Sequence, residues 1–396
     1  MKVAKLFVPG RFVDAFLYMG RVAAVTEERT LQILNLDEIL EEMSERDPAI
    51  HPVATLMFAR NDWAAEPVFK SLSRNASIWS SVSEAFDLFP QPFYELDAAR
   101  RFTSEEDLGL PVGSILDMNI YNSRLYLGMN VGLFHLDLTW SEGAGLFQNG
   151  LQKRIDARCR GTSVGFGSIN ASCGEDGLFS SLDDFDWLEK RPTRQMTTIA
   201  PRSVQTNWLQ HDLVNYASFT EPTLLRSKSE SVRRSADSAD RERKVITEIG
   251  SEKIDLGYLL DLLMTEYAVS KQSIQFTYNS TSVMFVHTNE GNFYALGIKS
   301  SKGKQPKLQF SRTYKGFGTR ILGVNPTEAG LVIEADRRVL LFSDHNWYPI
   351  QETDVISVRT FPRSRRYRNV VAMTLEDGLM LVGLFDEKAR DTTDPT

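Results

Sequence analysis

The sequence has few cysteines and few histidines. Its only two cysteines, Cys159 and Cys173, lie in unlike contexts, one in a strand-like run and one beside a turn. Two cysteines provide no disulfide framework, so we expect a reducing, cytoplasmic location. The five histidines form no H-x-H or H-E-x-x-H motif, and no C-x-x-C occurs. We therefore expect no metal and no cofactor.

Long apolar runs and nucleotide-binding motifs are also missing. No run approaches the roughly 18 apolar residues of a membrane span. The N-terminal "MKVAKLFVPGRFVDAF" lacks the long apolar region and cleavage site of a signal peptide. "GTSVGFGS" spaces Gly161, Ser163 and Gly165 as in a nucleophile elbow, but a strand and turn follow where the elbow needs a helix. We expect no membrane partner and no catalytic residue.

The composition is that of an ordinary globular protein. Hydrophobic residues make up 42% and charged residues 24% of the 396 residues, and the formal net charge is −7. This acidic balance argues against coating of nucleic acid by the whole surface, although basic loops can still bind an anion locally.

The main positive feature of the sequence is a repeated pair of alternating runs. "DMNIYNSRLYLGMNVGLFHLDL", from Asp117 to Leu138, alternates apolar and polar residues, breaks at a turn and alternates again. Similar patterns with Gly, Asp or Glu at the turn recur around Glu28, Gly177, Gly291, Asp336 and Gly378. Neighbouring copies are about 41–46 residues apart where no long interval intervenes. Four strands per copy at this period are typical of a β-propeller blade.

We therefore predict an all-β fold, a β-propeller of seven blades, with six or eight as alternatives. Six copies are readable, and "SVQTNWLQHDLVNYASFTEPTLLRSK" is a weak seventh. The last copy has only three strands, so we expect the N-terminal "KVAKLFV" to pair with it and cover its open edge. The alternative is a pair of unrelated β-rich domains with evenly spaced hairpins.

The repeat resembles the WD40-like β-propeller superfamily. The resemblance covers most of the chain outside two long intervals, but the copies lack the Gly-His and Trp-Asp pairs of WD40 repeats. It therefore implies an architecture, and no functional residues carry over. We expect residues 1–396 to form a single propeller with insertions at residues 36–112 and 229–271.

The first insertion combines a short helix with an aromatic-rich segment. "NLDEILEEMSERDP" has apolar residues at helical spacing, and "HPVATLMFAR" is a candidate outer strand for the first blade. The aromatic residues either pack on the blades or form a docking surface for a partner. The candidate partner-binding residues here are Trp63, Phe69, Trp79, Phe86 and Phe89.

The second insertion begins with a polar segment, Ser227 to Lys244, which is too poor in apolar residues to order itself. We expect a mobile loop there, followed by a helix over "SEKIDLGYLLDLLMTEYAVSK". This helix either packs on the blades or engages another chain. Its candidate partner-binding residues are Tyr258, Leu262 and Tyr267.

Three stretches are basic: Lys299 to Lys307, residues 229–244, and "RSRRYR" between two strands of the last copy. The arginines of "RSRRYR" either keep an exposed loop soluble or contact an anion or nucleic acid. The candidate residues are Arg363, Arg365, Arg366 and Arg368.

These features favour a non-enzymatic scaffold or recognition subunit that binds one or more protein subunits in a larger cytoplasmic assembly. One alternative is a nucleic-acid-facing subunit that uses the basic loops. The other is a propeller enzyme with a composite site in the channel, to which His135 and His287 would contribute from comparable copies.

Overall fold

The computed structural model describes residues 1–96, 102–139, 150–182, 196–232, 243–301, 304–316 and 319–386. These residues form seven sheets, each built around four antiparallel strands, and in five of the sheets the four strands are consecutive in the chain. The fold is a seven-bladed β-propeller, so the predicted fold class is confirmed. The chain divides into two compact units, Met1–Gly109 with Leu322–Thr396, and Leu110–Ile321.

Unit 2, Leu110–Ile321, contains blades 2 to 5. Blade 2 consists of β7 (Ile115–Tyr121), β8 (Arg124–Met129), β9 (Gly132–Asp137) and β10 (Gln152–Ile155). Blade 3 consists of β11 (Gly161–Gly165), β12 (Ser168–Ser172), β13 (Leu178–Leu182) and β14 (Thr197–Ala200). Blade 4 consists of β15 (Gln205–Leu209), β16 (Asp212–Tyr216), β17 (Pro222–Val232) and β18 (Arg243–Asp255). Blade 5 consists of β19 (Ile274–Ser280), β20 (Val283–Thr288), β21 (Asn292–Ser301) and β22 (Lys304–Lys315).

Unit 1 contains blades 1, 6 and 7. Blade 1 consists of β2 (Phe12–Tyr18), β3 (Arg21–Thr26), β4 (Thr30–Asn35) and β6 (Phe102–Asp107). Blade 6 consists of β23 (Ile321–Thr327), β24 (Gly330–Ala335), β25 (Arg338–Ser343) and β26 (Asn346–Gln351). Blade 7 consists of β27 (Ser357–Thr360), β28 (Val370–Thr374), β29 (Gly378–Phe385), β1 (Lys2–Pro9) and the short β5 (Tyr94–Glu95).

The two ends of the chain meet in blade 7. Strand β1 pairs antiparallel with β29 along its whole length, from Lys2 opposite Phe385 to Pro9 opposite Gly378. Strand β5 then adds in parallel to the other side of β1. All eight residues of β29 are buried, because a central blade strand is covered on both faces and therefore reads as a continuous apolar run.

Three first strands of blades share the same irregularity. A bulge follows the first residue of each, between Phe12 and Asp14, between Ile115 and Asp117, and between Ile274 and Phe276. A bulge re-aims the side chains beside it, and its recurrence at one position places Asp14 and Asp117 in equivalent sites of their blades.

The helices lie in two places. Between β4 and β5, unit 1 contains α1 (Leu36–Arg46), α2 (His51–Ala54), a π-helical turn (Thr55–Ala59), a 3-10 helix (Asn61–Ala65), α3 (Pro67–Ser73) and α4 (Ala76–Leu88). Unit 2 contains α5 (Gly257–Tyr267) and a 3-10 turn (Lys271–Ser273) between β18 and β19. The side chain of Asn75 caps α4 by accepting hydrogen bonds from the amides of Ser77 and Ile78.

The structure corrects the expectation for "HPVATLMFAR". This segment is helical, not an outer strand, and its Leu56, Met57 and Phe58 are buried. A short apolar run fits a buried helix as well as a buried strand, and its sequence alone does not separate the two. The outer strand of blade 1 is instead β6, which lies inside the span 36–112 and pairs with β4.

The span 229–271 also contributes to a blade. Strands β17 and β18 form a long hairpin, in which residues Arg243–Asp255 supply the fourth strand of blade 4. Residues 233–242, part of the segment expected to be mobile, lie outside the described residues. The helix begins at Gly257 and not near Ser251, because residues up to Asp255 pair with β17.

Candidate functional site

The helical segment of unit 1 packs on the end of blade 7 through aromatic rings. Phe385, the last residue of β29, stacks on Trp79 at a centroid distance of 5.8 Å. The rings of Phe86 and Phe69 lie 5.9 and 6.3 Å from the same ring. These side chains belong to one apolar core that also contains residues of α1, α2 and β1. The rings therefore attach the helices to the blade.

The candidate aromatic residues of this segment differ in exposure. Phe86 and Phe89 are buried, and Phe69 and Trp79 pack partly buried against the same core. Trp63 is the exception, because 39% of it is exposed. The Arg60 guanidinium lies 4.6 Å from the Trp63 ring centroid. Burial thus leaves Phe86 and Phe89 little surface to offer a partner, whereas Trp63 is accessible.

The same helical segment exposes aliphatic side chains that sequence analysis did not select. We name Trp63, Val68, Leu72 and Ile78 the insertion face. Val68 and Leu72 lie one turn apart on α3. Val68 is 70% exposed and Leu72 is 50% exposed. The signal that could have identified Val68 and Leu72 as exposed is their position as apolar residues in a short helix. Val68 and Leu72 are thus neighbours on one side of α3, and neighbouring exposed apolar residues mark interaction surfaces.

Helix α5 packs mainly on its own unit. Leu259, Leu260 and Leu263 are buried in a core shared with blades 4 and 5. Tyr258 donates a hydrogen bond to the Pro306 carbonyl, and the Tyr267 hydroxyl lies 2.9 Å from the Ser311 Oγ. Of the three candidate residues, Leu262 is 38% exposed and keeps an apolar surface available.

The arginine loop, Arg363 to Arg368, lies between β27 and β28. Arg366 donates to the Ala59 carbonyl at 3.1 Å and to Asp37 at 2.5 Å. Arg368 donates to both carboxylate oxygens of Glu328 at 3.1 Å. Arg363 and Arg365 are exposed. Arg366 and Arg368 therefore have acidic partners within the fold.

The side chain of Tyr367 holds this loop in place. Its hydroxyl accepts a hydrogen bond from the Gly20 amide at 2.7 Å, and burial raises the pKa of Tyr367 to about 12. Gly20 has a φ of +81°, in the region that favours glycine. The loop thus takes its position from a turn of blade 1.

A buried ion pair was missed by sequence analysis. Asp14 accepts from Arg359 Nη2 at 2.5 Å and from Ser357 Oγ at 2.9 Å. Arg359 also acts on Glu334. Burial raises the pKa of Glu334, and the positive charge of Arg359 partly opposes this rise. The matched strands "FVDAFLY" and "ILDMNIY" carry Asp at the same position, and this was the signal that could have identified Asp14. The pair joins first strands of neighbouring blades within unit 1.

A second buried arginine, Arg226, was also missed. Its guanidinium donates to Asp212 at 2.6 Å, to Ser300 Oγ at 2.5 Å and to the Ser301 carbonyl at 3.0 Å. Arg226 lies on β17 and its last two partners lie on β21, so it ties blade 4 to the end of the β21–β22 hairpin. Nothing in the local sequence distinguishes this arginine from an exposed one.

The two histidines of the enzyme hypothesis lie on non-equivalent strands of their blades. His135 lies on β9 of blade 2, stacked on Tyr126, and His287 lies on β20 of blade 5. Both are buried. Burial lowers the pKa of His135 to about 4 and also lowers the pKa of His287. Each is therefore a neutral residue inside its own blade at neutral pH.

The two cysteines lie side by side in unit 2. Cys159 and Cys173 flank the β11–β12 hairpin, whose end residues Gly161 and Ser172 are paired. Both thiols are free and buried. A hydrogen bond to Cys173, together with burial, raises the pKa of Cys159. The hairpin register, once known, brings together residues that the sequence placed in unlike contexts.

No described helix is long and apolar enough to cross a membrane. Within the same residues, no three His, Cys, Asp or Glu side chains are grouped as metal ligands.

Comparison with known proteins shows only distant likenesses. No family model and no curated protein matches the chain. It is similar to the β-propeller domain of Cps50 (Swd1) from Myceliophteria thermophila, with 8% identity, a TM-score of 0.49, and coverage of 95% of this chain and 97% of that one. It is similar to the WD40 β-propeller domain of Doa1, with 8% identity, a TM-score of 0.47, and coverage of 98% and 97%. Likenesses this distant carry no information on function, and the propeller assignment rests on the seven sheets.

Proposed function

We propose that this chain is a non-enzymatic recognition subunit that binds one or more protein partners in a larger cytoplasmic assembly. The observation that carries the proposal is the insertion face, where Trp63, Val68, Leu72 and Ile78 are exposed on a helical segment attached to blade 7. Leaving such side chains in water forgoes burial worth roughly 1.5–3 kcal/mol for each large one. A partner that covers them recovers this free energy.

The chemistry around the insertion face suits a protein partner. Trp63 is a residue type enriched at the centres of protein interfaces, and its ring is already oriented by Arg60, which also pairs with Asp62 at 3.1 Å. Exposed Glu66 and Arg74 flank the apolar residues. An apolar centre with a polar rim of both charges is the usual composition of a protein–protein interface.

The test uses the full chain with an affinity tag in its native cell. We expect the triple variant Trp63→Ala, Val68→Ser, Leu72→Ser to recover at least tenfold less of the co-purifying subunit than the unsubstituted chain. The matched control is Leu322→Ser with Ile356→Ser, because both residues are half exposed, lie in the same unit and are outside the helical segment.

Three results contradict the proposal. The first is that the chain purifies as a monomer without a stable partner. The second is that the triple variant recovers as much of the co-purifying subunit as the unsubstituted chain. The third is that the control variant loses as much of this subunit as the triple variant. Thermal unfolding of each variant separates loss of binding from loss of folding, since the substituted side chains are exposed and contribute little to stability.

The nucleic-acid alternative depends on the arginine loop and on residues 229–244, of which 233–242 lie outside the described residues. Arg366 and Arg368 already bind Asp37 and Glu328, so this alternative retains Arg363 and Arg365 as its exposed cations. The enzyme alternative depends on His135 and His287, which lie in different blades. The exposed apolar residues of the insertion face favour the protein-binding proposal over a site at the arginine loop or at the two histidines.

A further inference from the structure

The outer hairpin of blade 5 carries basic residues and no acidic ones. Strands β21 and β22, Asn292–Ser301 and Lys304–Lys315, contain five cationic side chains and no carboxylate. The five are Lys299, Lys304, Lys307, Arg312 and Lys315. In a chain with a net charge of −7, this is a local reversal of sign.

The register of the hairpin places basic and aromatic residues in one line. Positions 293, 295, 297 and 299 of β21 alternate and therefore share one face. Their cross-strand partners are Tyr314, Arg312, Phe310 and Lys307, and directly opposite residues lie on the same face. We name Lys299, Lys307, Phe310, Arg312 and Tyr314 the cationic row.

A β-bulge completes the row. The register shifts between Gly297 and Ile298, so that Lys307 lies opposite Lys299. Without the shift, position 308 would occupy that place, and Lys307 would point to the other face. The irregularity therefore adds a cation to the row where regular pairing would place Leu308.

The two lysines of the row repel each other. Lys299 and Lys307 are directly opposite across the strands, and both are exposed. Like charges at this position destabilise a sheet. Neither lysine forms an ion pair with any residue in the described part of the chain. A bound anion would relieve this repulsion.

The aromatic part of the row includes a partly exposed ring. Phe310 is 38% exposed and lies across Gly297, where a Cβ atom would collide with its ring. The Arg312 guanidinium lies 5.1 Å from the Phe310 ring centroid. Unpaired nucleobases stack on aromatic rings and on guanidinium planes of this kind.

The opposite face of the hairpin is occupied by α5. Leu296 packs in the core that contains the α5 leucines, and its cross-strand partner Ser311 bonds to Tyr267 and Glu266. At the end of the hairpin, Arg226 fixes Ser300. The row is therefore presented on a hairpin that is supported from behind and anchored at one end.

We propose that the cationic row binds single-stranded nucleic acid, with phosphates at Lys299 and Lys307 and bases stacked on Phe310, Arg312 and Tyr314. Complementary charge selects a polyanion, and the ring and guanidinium surfaces select one with accessible bases. A duplex hides its base faces, and an acidic peptide has none.

The test measures fluorescence anisotropy of a labelled 15-nucleotide oligouridylate with the full chain at several salt concentrations. Lys299→Gln with Lys307→Gln is expected to flatten the slope of log K against log salt by about 1.4, since each phosphate contact on a single strand contributes about 0.7. Phe310→Leu keeps an apolar residue over Gly297 but removes the ring, and is expected to weaken binding by about 5- to 150-fold.

The matched control is Lys253→Gln with Lys271→Gln, which removes the same charge from exposed positions of the same unit outside the row. It is expected to leave the salt slope nearly unchanged. Equal effects of the two lysine pairs would overturn the proposal. Equal or tighter binding of a duplex of the same length, or of a polyglutamate peptide, would also overturn it. Failure here leaves the insertion face untouched, because the two surfaces share no residue.

Discussion

The arginine loop and the cationic row are both basic, but the positions of the acidic residues around them differ. The loop has four arginines in six residues, whereas the row is spread over two strands. In the structure, Arg366 and Arg368 of the loop bind Asp37 and Glu328, while the row has no acid opposite its lysines. A count of basic residues therefore does not identify an anion site. The positions of the acids decide, and these come from distant parts of the chain.

The largest effect is expected where the anchor of the row is removed. Arg226→Ala leaves Asp212 largely buried without its partner, which costs about 3–5 kcal/mol. Urea unfolding measures this loss. The double variant Arg226→Met with Asp212→Leu removes both charges and is expected to recover most of the stability. A loss under about 1 kcal/mol for Arg226→Ala would show that the anchor is dispensable.

Lowering the pH is expected to reduce the free energy of unfolding before it changes the charge of the cationic row. Burial lowers the pKa of His135 to about 4, whereas an unfolded histidine titrates near 6.5. Between these values the unfolded chain binds a proton that the folded chain does not, so stability falls as the pH drops below 6.5. At pH 5 the loss from His135 alone is about 2 kcal/mol.

The measurement is urea unfolding at pH 7.5, 6 and 5. His135→Gln is expected to reduce the pH dependence, and an unchanged dependence in this variant would contradict the assignment. The remaining dependence is expected to include His287, whose pKa burial also lowers. Binding by the row is best compared above pH 6.5, where the fold has not yet lost stability to the protonation of the unfolded chain.

Within the arginine loop, one substitution separates paired from exposed arginines. Arg366→Ala removes hydrogen bonds to Ala59 and Asp37 and is expected to cost about 1.5 kcal/mol. Arg365→Ala, in the same loop but exposed, is expected to change stability by less than about 0.5 kcal/mol. Thermal unfolding of the two variants measures the difference. Equal values would remove the distinction between the loop and the row.

The smallest effect is expected from the row itself without a ligand. Lys299→Gln removes a like-charge repulsion with Lys307 and is expected to stabilise the free chain by a few tenths of a kcal/mol. Lys271→Gln serves as the control in the same unit. Destabilisation by Lys299→Gln at low salt would show that this lysine has a favourable partner and would weaken the comparison.

Most of the propeller was predictable because its signals are local. Period-2 alternation and turn residues such as Gly177 and Gly291, with φ values of +107° and +79°, recur in each blade. Blade 4 was only partly predicted because of its fourth strand, β18, "RKVITEIGSEKID". This strand is too polar for its sequence to predict a blade strand, and its last residues overlap the segment that was expected to be helical. "HPVATLMFAR" was assigned wrongly, because a short apolar run carries no period that separates helix from strand.

The candidate residues were predicted less well than the blades. Phe86 and Phe89 were predicted to bind a partner but are buried, whereas Val68 and Leu72 were not predicted and are exposed. Aromatic side chains serve cores and interfaces equally well, so residue type alone does not separate the two uses. The outcome depends on which helix face meets Phe385.

The sequence by itself determined the blades, because alternation and turn chemistry act between residues a few positions apart. Only the tertiary structure decided which charged and aromatic side chains remain available. Arg366 meets Asp37, and Asp14 meets Arg359, across more than 300 positions of sequence. Contacts at that separation arise when the chain ends come together in blade 7, and no local pattern encodes them.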